Sequence, residues 1–567
     1  RRVLFRFRTT FFYDGQLVGT LFDDALISLR YAQNLVAGWG LVWNPGKVPR
    51  VEGYTNPLWT LMLTVAALTA APPIAPIVVS AIGAAILLWS GVLALRIAVS
   101  AGASCIAALA CLLLVLSCYQ NVFWTLRGME VGLVSLFLLG ATAIVVRTPA
   151  GKASERTIAA VSAICGAAFL TRPDGVLLFV PHFLLLLWPP GSLSFGRVLA
   201  LSPAVLCAVA QFLFRWYYYG EFVPNTYVLK MVGTPAVDRM PTGWIATLMS
   251  VHLLFPFAVA VAWYARQLFG RTPAARLAFL CAAVGAIQLV YGVWIGGDAW
   301  NFISNRFLAT ITPLMLIGAL LGAAQIFRDV ATHRTAHLVL SATVLAGGMA
   351  ITAAGHFSLG AVSNRLAIAG VVLLVVWPAV EALARRRGSS LAPSASAVAA
   401  GLSLFLFGSA PDWYRWGALN APFALYDISF ARVGLFLKNT FPHNTTLAAT
   451  WLGAPSYYSG FASVDLLGKT DKQIARMSPV LPFRAGHNKI DLDYSIGRLQ
   501  PDIVVYLEIP WLGGNNEGLL RRFGYLPWHK HLWLRQGFFD AVKGLPSVRA
   551  PRCMGAADID PCLKGAY

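Results

Sequence analysis

The sequence predicts an α-helical polytopic membrane bundle with a C-terminal extracytoplasmic α/β domain, and three observations predict it. The chain is 57% hydrophobic and only 12% charged, with a mean hydropathy of +0.66. A soluble chain carries about 25% charged residues. Apolar runs follow one another along most of the chain instead of forming a single anchor, which gives about 11–13 spans of roughly 20 residues each. The period-two alternation that a transmembrane barrel needs is missing from these runs. The boundary falls at 410: residues 1–410 form the membrane domain, and residues 411–567 form the soluble domain.

The N-terminus, Arg1-Arg2-Val3-Leu4-Phe5-Arg6-Phe7-Arg8, is too basic and too short in apolar residues to span. Residues 3–21 therefore cross irregularly, or a leading helix precedes them. A first outer loop, 9–72, follows. Within it, residues 24–37 have helical apolar spacing and read as an amphipathic helix lying at the interface, with Asp23 or Asp24 as its N-cap. Residues 41–60 are turn-rich, and residues 57–70 read as a second helix that re-enters or lies flat.

Span candidates come next at 73–95, 101–119, 130–146, 157–170, 175–188, 197–217, 243–264, 276–295, 307–327, 336–354, 366–383 and 393–409. Thr171-Arg172-Pro173-Asp174-Gly175 breaks one pair, because Pro173 removes a backbone donor and Gly175 permits a turn. Past residue 410 the runs Thr446 to Thr450 and Asp502 to Leu507 are strand-like.

Net charge is +20. The basic residues sit mostly in short loops, where they set topology, so nucleic acid is excluded as a partner. Loops containing Arg96, Arg147, Arg197, Arg271, Arg328 and Arg386 are about twice as basic as the alternate set. The first set is therefore cytoplasmic, and the alternate loops and the C-terminal domain lie outside. Six cysteines lie in or beside apolar runs and read as small buried hydrophobes; Cys553 and Cys562 lie in the polar C-terminal region, where a disulfide is one of two even readings.

The outer loops carry the candidate chemistry. Asp23 and Asp24 offer a general base for an acceptor hydroxyl; the alternative is helix capping alone. Arg172, Lys230 and Arg306 offer cations for a donor phosphate; the alternatives are a solvated corner, a snorkelling lysine and an Arg306–Asp298 pair. Asp174, Glu221, Asn225, Asp298, Trp300 and His487 are candidates for sugar or acceptor contacts, with a purely structural His487 as the alternative. No Walker loop, zinc spacing, nucleophile elbow or dinucleotide fingerprint is present in the sequence. Acids and cations on one face of a membrane suit sugar transfer from a polyprenyl phosphate, in which the phosphate–sugar bond is already activated and cations stabilise the leaving phosphate.

Phe22-Asp23-Asp24-Ala25-Leu26-Ile27-Ser28-Leu29-Arg30-Tyr31, followed by Trp39, Trp43-Asn44-Pro45-Gly46 and Glu52-Gly53-Tyr54-Thr55-Asn56-Pro57, resembles the first outer loop of GT-C glycosyltransferases. The resemblance is strongest to the terminal arabinofuranosyltransferases of mycobacterial cell-wall assembly. Val464-Asp465-Leu466-Leu467-Gly468-Lys469-Thr470-Asp471 with Gly486-His487 is similar to that group's periplasmic domain. The resemblance implies a multi-pass protein of the bacterial inner membrane with its active site and C-terminal domain facing the periplasm. It implies a polyprenyl-phosphoryl pentose donor, a periplasmic glycan acceptor and a catalytic acidic pair at Asp23 and Asp24. No cofactor is certain; a divalent metal ion is one possibility. Other readings are transfer of mannose or another sugar on the same fold, transport of a lipid-linked sugar, and a glycan-binding protein anchored by its membrane part.

Overall fold

The structure, a computed structural model, describes residues 9–189, 194–250, 270–298, 305–330, 361–387, 393–418, 422–505, 507, 516–529 and 532–549, with a few positions between 258 and 267. Among these, five helices are long and apolar enough to cross a membrane: Ala75–Ser100, Phe195–Tyr219, Pro273–Ile295, Arg306–Gln325 and Arg365–Ala384. Two bent pairs, Cys105–Leu116 with Tyr119–Leu126 and Ser394–Gly408 with Ala410–Ala418, raise the number to seven. Shorter apolar helices at Pro57–Thr69, Val131–Arg147 and Pro173–Leu187 pack among them. The expected span at 336–354 lies outside the described residues, as does part of 243–264.

The chain enters as a hairpin of β1 (Thr10–Tyr13) and β2 (Gln16–Gly19). Asp14 and Gly15 turn it, both at positive φ. Residues 10–19 are thus an antiparallel ribbon and not an irregular crossing; each strand is four residues, far short of a bilayer.

Helix α1 (Asp23–Val36) follows, then α2 (Pro57–Thr69). Phe22 is the N-cap of α1, and no side chain caps it. Asp23 and Asp24 lie instead in its first turn, where their charge favours the positive helix end. The expected interfacial position for α1 also fails: Ala25 through Ala32 are buried all round. A helix buried on every side needs internal partners for its polar groups. Arg30 supplies some, donating to the carbonyls of Trp43, Ser456 and Phe461.

Those last two partners belong to the C-terminal domain. Its sheet has the order β4-β3-β5-β7-β6. Strands β3 (Thr446–Ala449), β4 (Ala462–Asp465) and β5 (Ile503–Val505) are parallel. The hairpin of β6 (Tyr525–His529) and β7 (Leu532–Arg535) adds antiparallel to β5. Both strand-like runs read from the sequence are strands. One hydrophobic core joins Leu26, Trp59 and Trp124 to Phe436, Leu447, Tyr457 and Leu534, so the first loop and the C-terminal domain fold onto each other. A buried ion pair, Arg127 with Asp427, ties the end of the helix Tyr119–Leu126 to the C-terminal domain as well. A separate core holds the membrane helices together.

The corner at Thr171–Gly175 is as the sequence predicts. One helix, Glu155–Thr171, ends at Arg172, and a tight turn over Pro173–Phe179 leads into Val180–Leu187. All six described cysteines are free thiols, and Cys553 and Cys562 lie outside the described residues.

Candidate active site

A cavity of about 430 Å³ opens where the first loop, the Arg172 corner, residues 223–231, the Asp298–Arg306 region and the C-terminal domain meet. That is the size range of small-molecule sites. Asp24, Arg172, Asp174, Lys230, Asp298, Arg306 and His487 all line it. Residues separated by more than 460 positions in sequence therefore share one space. Part of the lining is apolar, including Val176, Leu177, Phe212, Val223 and Trp294.

The two adjacent acids diverge, because successive helical residues project about 100° apart. Asp24 faces the cavity. Its Oδ1 accepts from Lys469 Nζ at 2.5 Å, and its Oδ2 lies 3.5 Å from Arg306 Nη1. Burial pushes the Asp24 carboxyl up, but Lys469 and Arg306 outweigh that and hold it well below the usual carboxylate range. Asp23 is not in the lining. Its Oδ1 accepts from the Ala454 backbone N–H at 2.9 Å, and burial pushes its carboxyl up to about 6. Gly453 makes this approach possible, since a Cβ there would overlap the Asp23 carbonyl.

The cations differ in how they are engaged. Arg306 forms an ion pair with Asp298, its Nε 2.8 Å from Oδ2. Arg172 donates through Nη1 to Glu130 at 3.0 Å and through Nε and Nη2 to the two oxygens of Asp174 at 3.1 and 2.9 Å. Lys230 makes no ion pair or hydrogen bond among the described residues, although it lines the cavity. Burial and the neighbouring Arg306 lower its amine to about 8. Asp298 and Asp24 favour its charged form from beyond contact distance.

Two of the expected contacts fall elsewhere. Glu221 lies outside the lining and pairs with Arg476 at 2.6 Å and Lys472 at 3.4 Å. Asn225 Nδ2 lies 2.9 to 3.1 Å from the carbonyls of Gly468, Lys469 and Asp471, so it fixes the loop that carries Lys469. Trp300 lies outside the described residues. His487 lines the cavity with Nδ1 donating to the Ala485 carbonyl at 2.8 Å. Burial, then Lys469, lowers its imidazole to about 3, so it is neutral.

Lys469 and Glu130 are among the lining residues the sequence left without a role. Lys469 lies inside the run Val464–Asp471, whose pattern was informative although no single residue in it was. The loop is set by Asp465, whose carboxylate accepts from the N–H groups of Leu467, Gly468 and Thr470. Among the described residues no group of three or more His, Cys, Asp or Glu side chains is placed to hold a metal ion.

Over 389 residues the chain is 27% identical to the terminal beta-(1->2)-arabinofuranosyltransferase of Mycobacterium tuberculosis. The match covers 62% of this chain and 61% of that protein, so it spans less than two thirds of the relative's length. In three dimensions the chain is similar to ArnT from Cupriavidus metallidurans, covering 91% of this chain and 94% of that one. The TM-score is 0.51 against the apo state, at 14% identity, and 0.54 against the form bound to undecaprenyl phosphate, at 15% identity.

The fold is the GT-C fold.

With this fold and its apolar helices the chain is a multi-pass helical membrane protein, and its likeness to the mycobacterial enzyme runs over 389 residues. A family profile described as a domain of unknown function, DUF8728, matches residues 421–542, which span most of the C-terminal domain.

Proposed function

We propose that this GT-C chain is a glycosyltransferase that moves a pentose, arabinofuranose, from a polyprenyl-phosphate donor to a glycan acceptor at the periplasmic face of a bacterial inner membrane. The observation that carries the proposal is the cavity in which one carboxylate, Asp24, meets Lys230, Arg306 and Lys469 beside an apolar wall. The named activity of the mycobacterial relative and the undecaprenyl phosphate bound by ArnT support the sugar and the lipid.

The chemistry follows from the charges. The donor's phosphate meets Lys230 and Arg306, and its hydrocarbon tail lies along the apolar lining. Asp24 takes the proton from an acceptor hydroxyl, and that oxygen attacks the anomeric carbon. The bond from the anomeric carbon to the phosphate oxygen breaks, and its electron pair leaves on polyprenyl phosphate. Cations already in place stabilise that charge without reorganising. Asp24 is a weak base while Lys469 and Arg306 hold it. An entering phosphate adds negative charge and competes for both cations, which restores its basicity.

The test is transfer by the purified full chain from a panel of polyprenyl-phosphate sugars. The expected result is transfer from the pentose donor, lost by about 10²-fold or more in Asp24→Asn, with donor binding retained. Transfer at the wild-type rate by Asp24→Asn would overturn the assignment of the base. Transfer from a hexose donor alone would overturn that of the sugar.

A further inference from the structure

A second group of cavity side chains has no part in that chemistry. Ser28 Oγ donates to Asn56 Oδ1 at 3.0 Å, and Asn56 Nδ2 donates to Glu130 Oε2 at 2.9 Å. Glu130 and Asp174 together enclose the guanidinium of Arg172. All five residues line the cavity. The chain of bonds starts at Ser28, one helical turn along α1 from Asp24, a separation of roughly 6 Å.

We propose that Glu130, Arg172 and Asp174 form the subsite for the hydroxyls of a neutral sugar, and that Arg172 does not bind the donor phosphate. This rests on the transferase reading above and adds the division of the cavity. Arg172 already donates to two carboxylates, so the cluster carries one positive and two negative charges. Such a cluster attracts phosphate less than Lys230 does, which lines the same cavity and makes no ion pair among the described residues. Each carboxylate has about four lone-pair sites. Glu130 uses one on Asn56 and one on Arg172, which leaves acceptors for sugar O–H groups. The bonds within the cluster fix those acceptors in place, as recognition of hydroxyl geometry requires. The excess negative charge also discriminates against acidic sugars.

The experiment compares two ligands on the full-length protein: polyprenyl phosphate and polyprenyl-phosphoryl pentose. Glu130→Gln and Asp174→Asn should each weaken the sugar-bearing lipid by about tenfold or more, the value of a hydrogen bond to a charged group. Affinity for polyprenyl phosphate should stay unchanged, which also reports that the variants are folded. Lys230→Gln should weaken both lipids by a similar factor. Equal loss of both lipids in the two acidic-site variants, or loss of neither, would overturn the subsite. A Lys230→Gln protein that binds polyprenyl phosphate normally would instead overturn the phosphate assignment, so the two failures are distinct.

Discussion

Lys469 Nζ lies 2.5 Å from Asp24 Oδ1, and 445 positions of sequence separate the two residues. Burial works against the Lys469 charge, but Asp24 and Asp23 beside it hold its amine above the usual value. The same contact keeps Asp24 ionised. Removing the lysine must raise the Asp24 pKa, so activity that needs the carboxylate is lost at a higher pH. The acid limb of kcat/KM in Lys469→Met should move up by about one unit or more, and Lys469→Arg should restore most of the shift. An acid limb that stays in place in Lys469→Met would show that the contact does not tune the base.

Asp23 and Asp24 should separate cleanly. Asp23→Asn keeps an acceptor for the Ala454 N–H and lies off the cavity, so transfer should persist within a few-fold. Burial raises folded Asp23 to about 6, above its ordinary value of 3.8. A raised carboxyl binds its proton more tightly when folded, so this group withdraws stability as pH climbs from about 4 to about 6. Asp23→Asn should therefore not lower the thermal midpoint at pH 7, which melting in detergent across that window would check.

Lys230 gives a second pH signature. Its amine titrates near 8 in the free protein, and a bound phosphate favours the charged form. Affinity for polyprenyl phosphate should be full below pH 8 and fall above it by up to about tenfold per unit. Lys230→Arg should flatten this profile, because its guanidinium stays charged throughout. Titration of lipid binding between pH 6.5 and 9.5, values chosen to bracket the amine, measures both.

Glu52 and Arg215 form a buried pair at 2.8 Å. Burial pushes the Glu52 carboxyl up to about 7, and Arg215 opposes that rise. Arg215→Met strands the acid and should cost about 3–5 kcal/mol of stability. Adding Glu52→Gln should recover much of it. A double variant no more stable than the single one would show that the arginine acts through packing alone.

The helical membrane fold, the corner at Arg172 and two strands were legible because apolar runs, Pro–Gly punctuation and β-branched runs are local signals; of the 11–13 expected spans, five to seven stand among the described residues. Placement of Asp24, Arg306 and Lys230 around one cavity was also legible, since loop charge bias sorts these residues to one face. The burial of α1 was not. Its sequence is amphipathic, and part of the cover for its polar side comes from the helix Gly453–Ser459, more than 400 residues on. Lys469 was invisible for the same reason: a lysine in a loop carries no mark of the carboxylate it will meet. The partners of Arg172 were hidden as well. A guanidinium at membrane depth suggests an anion, and the anions it meets are Glu130 and Asp174 of its own chain.

The shared core of the first loop and the C-terminal sheet has a consequence for synthesis. Asp24 emerges from the ribosome early, but the lysine that holds it and the glycine that admits its neighbour are translated near the end. A nascent chain halted before residue 453 thus exposes its acids with neither partner in place.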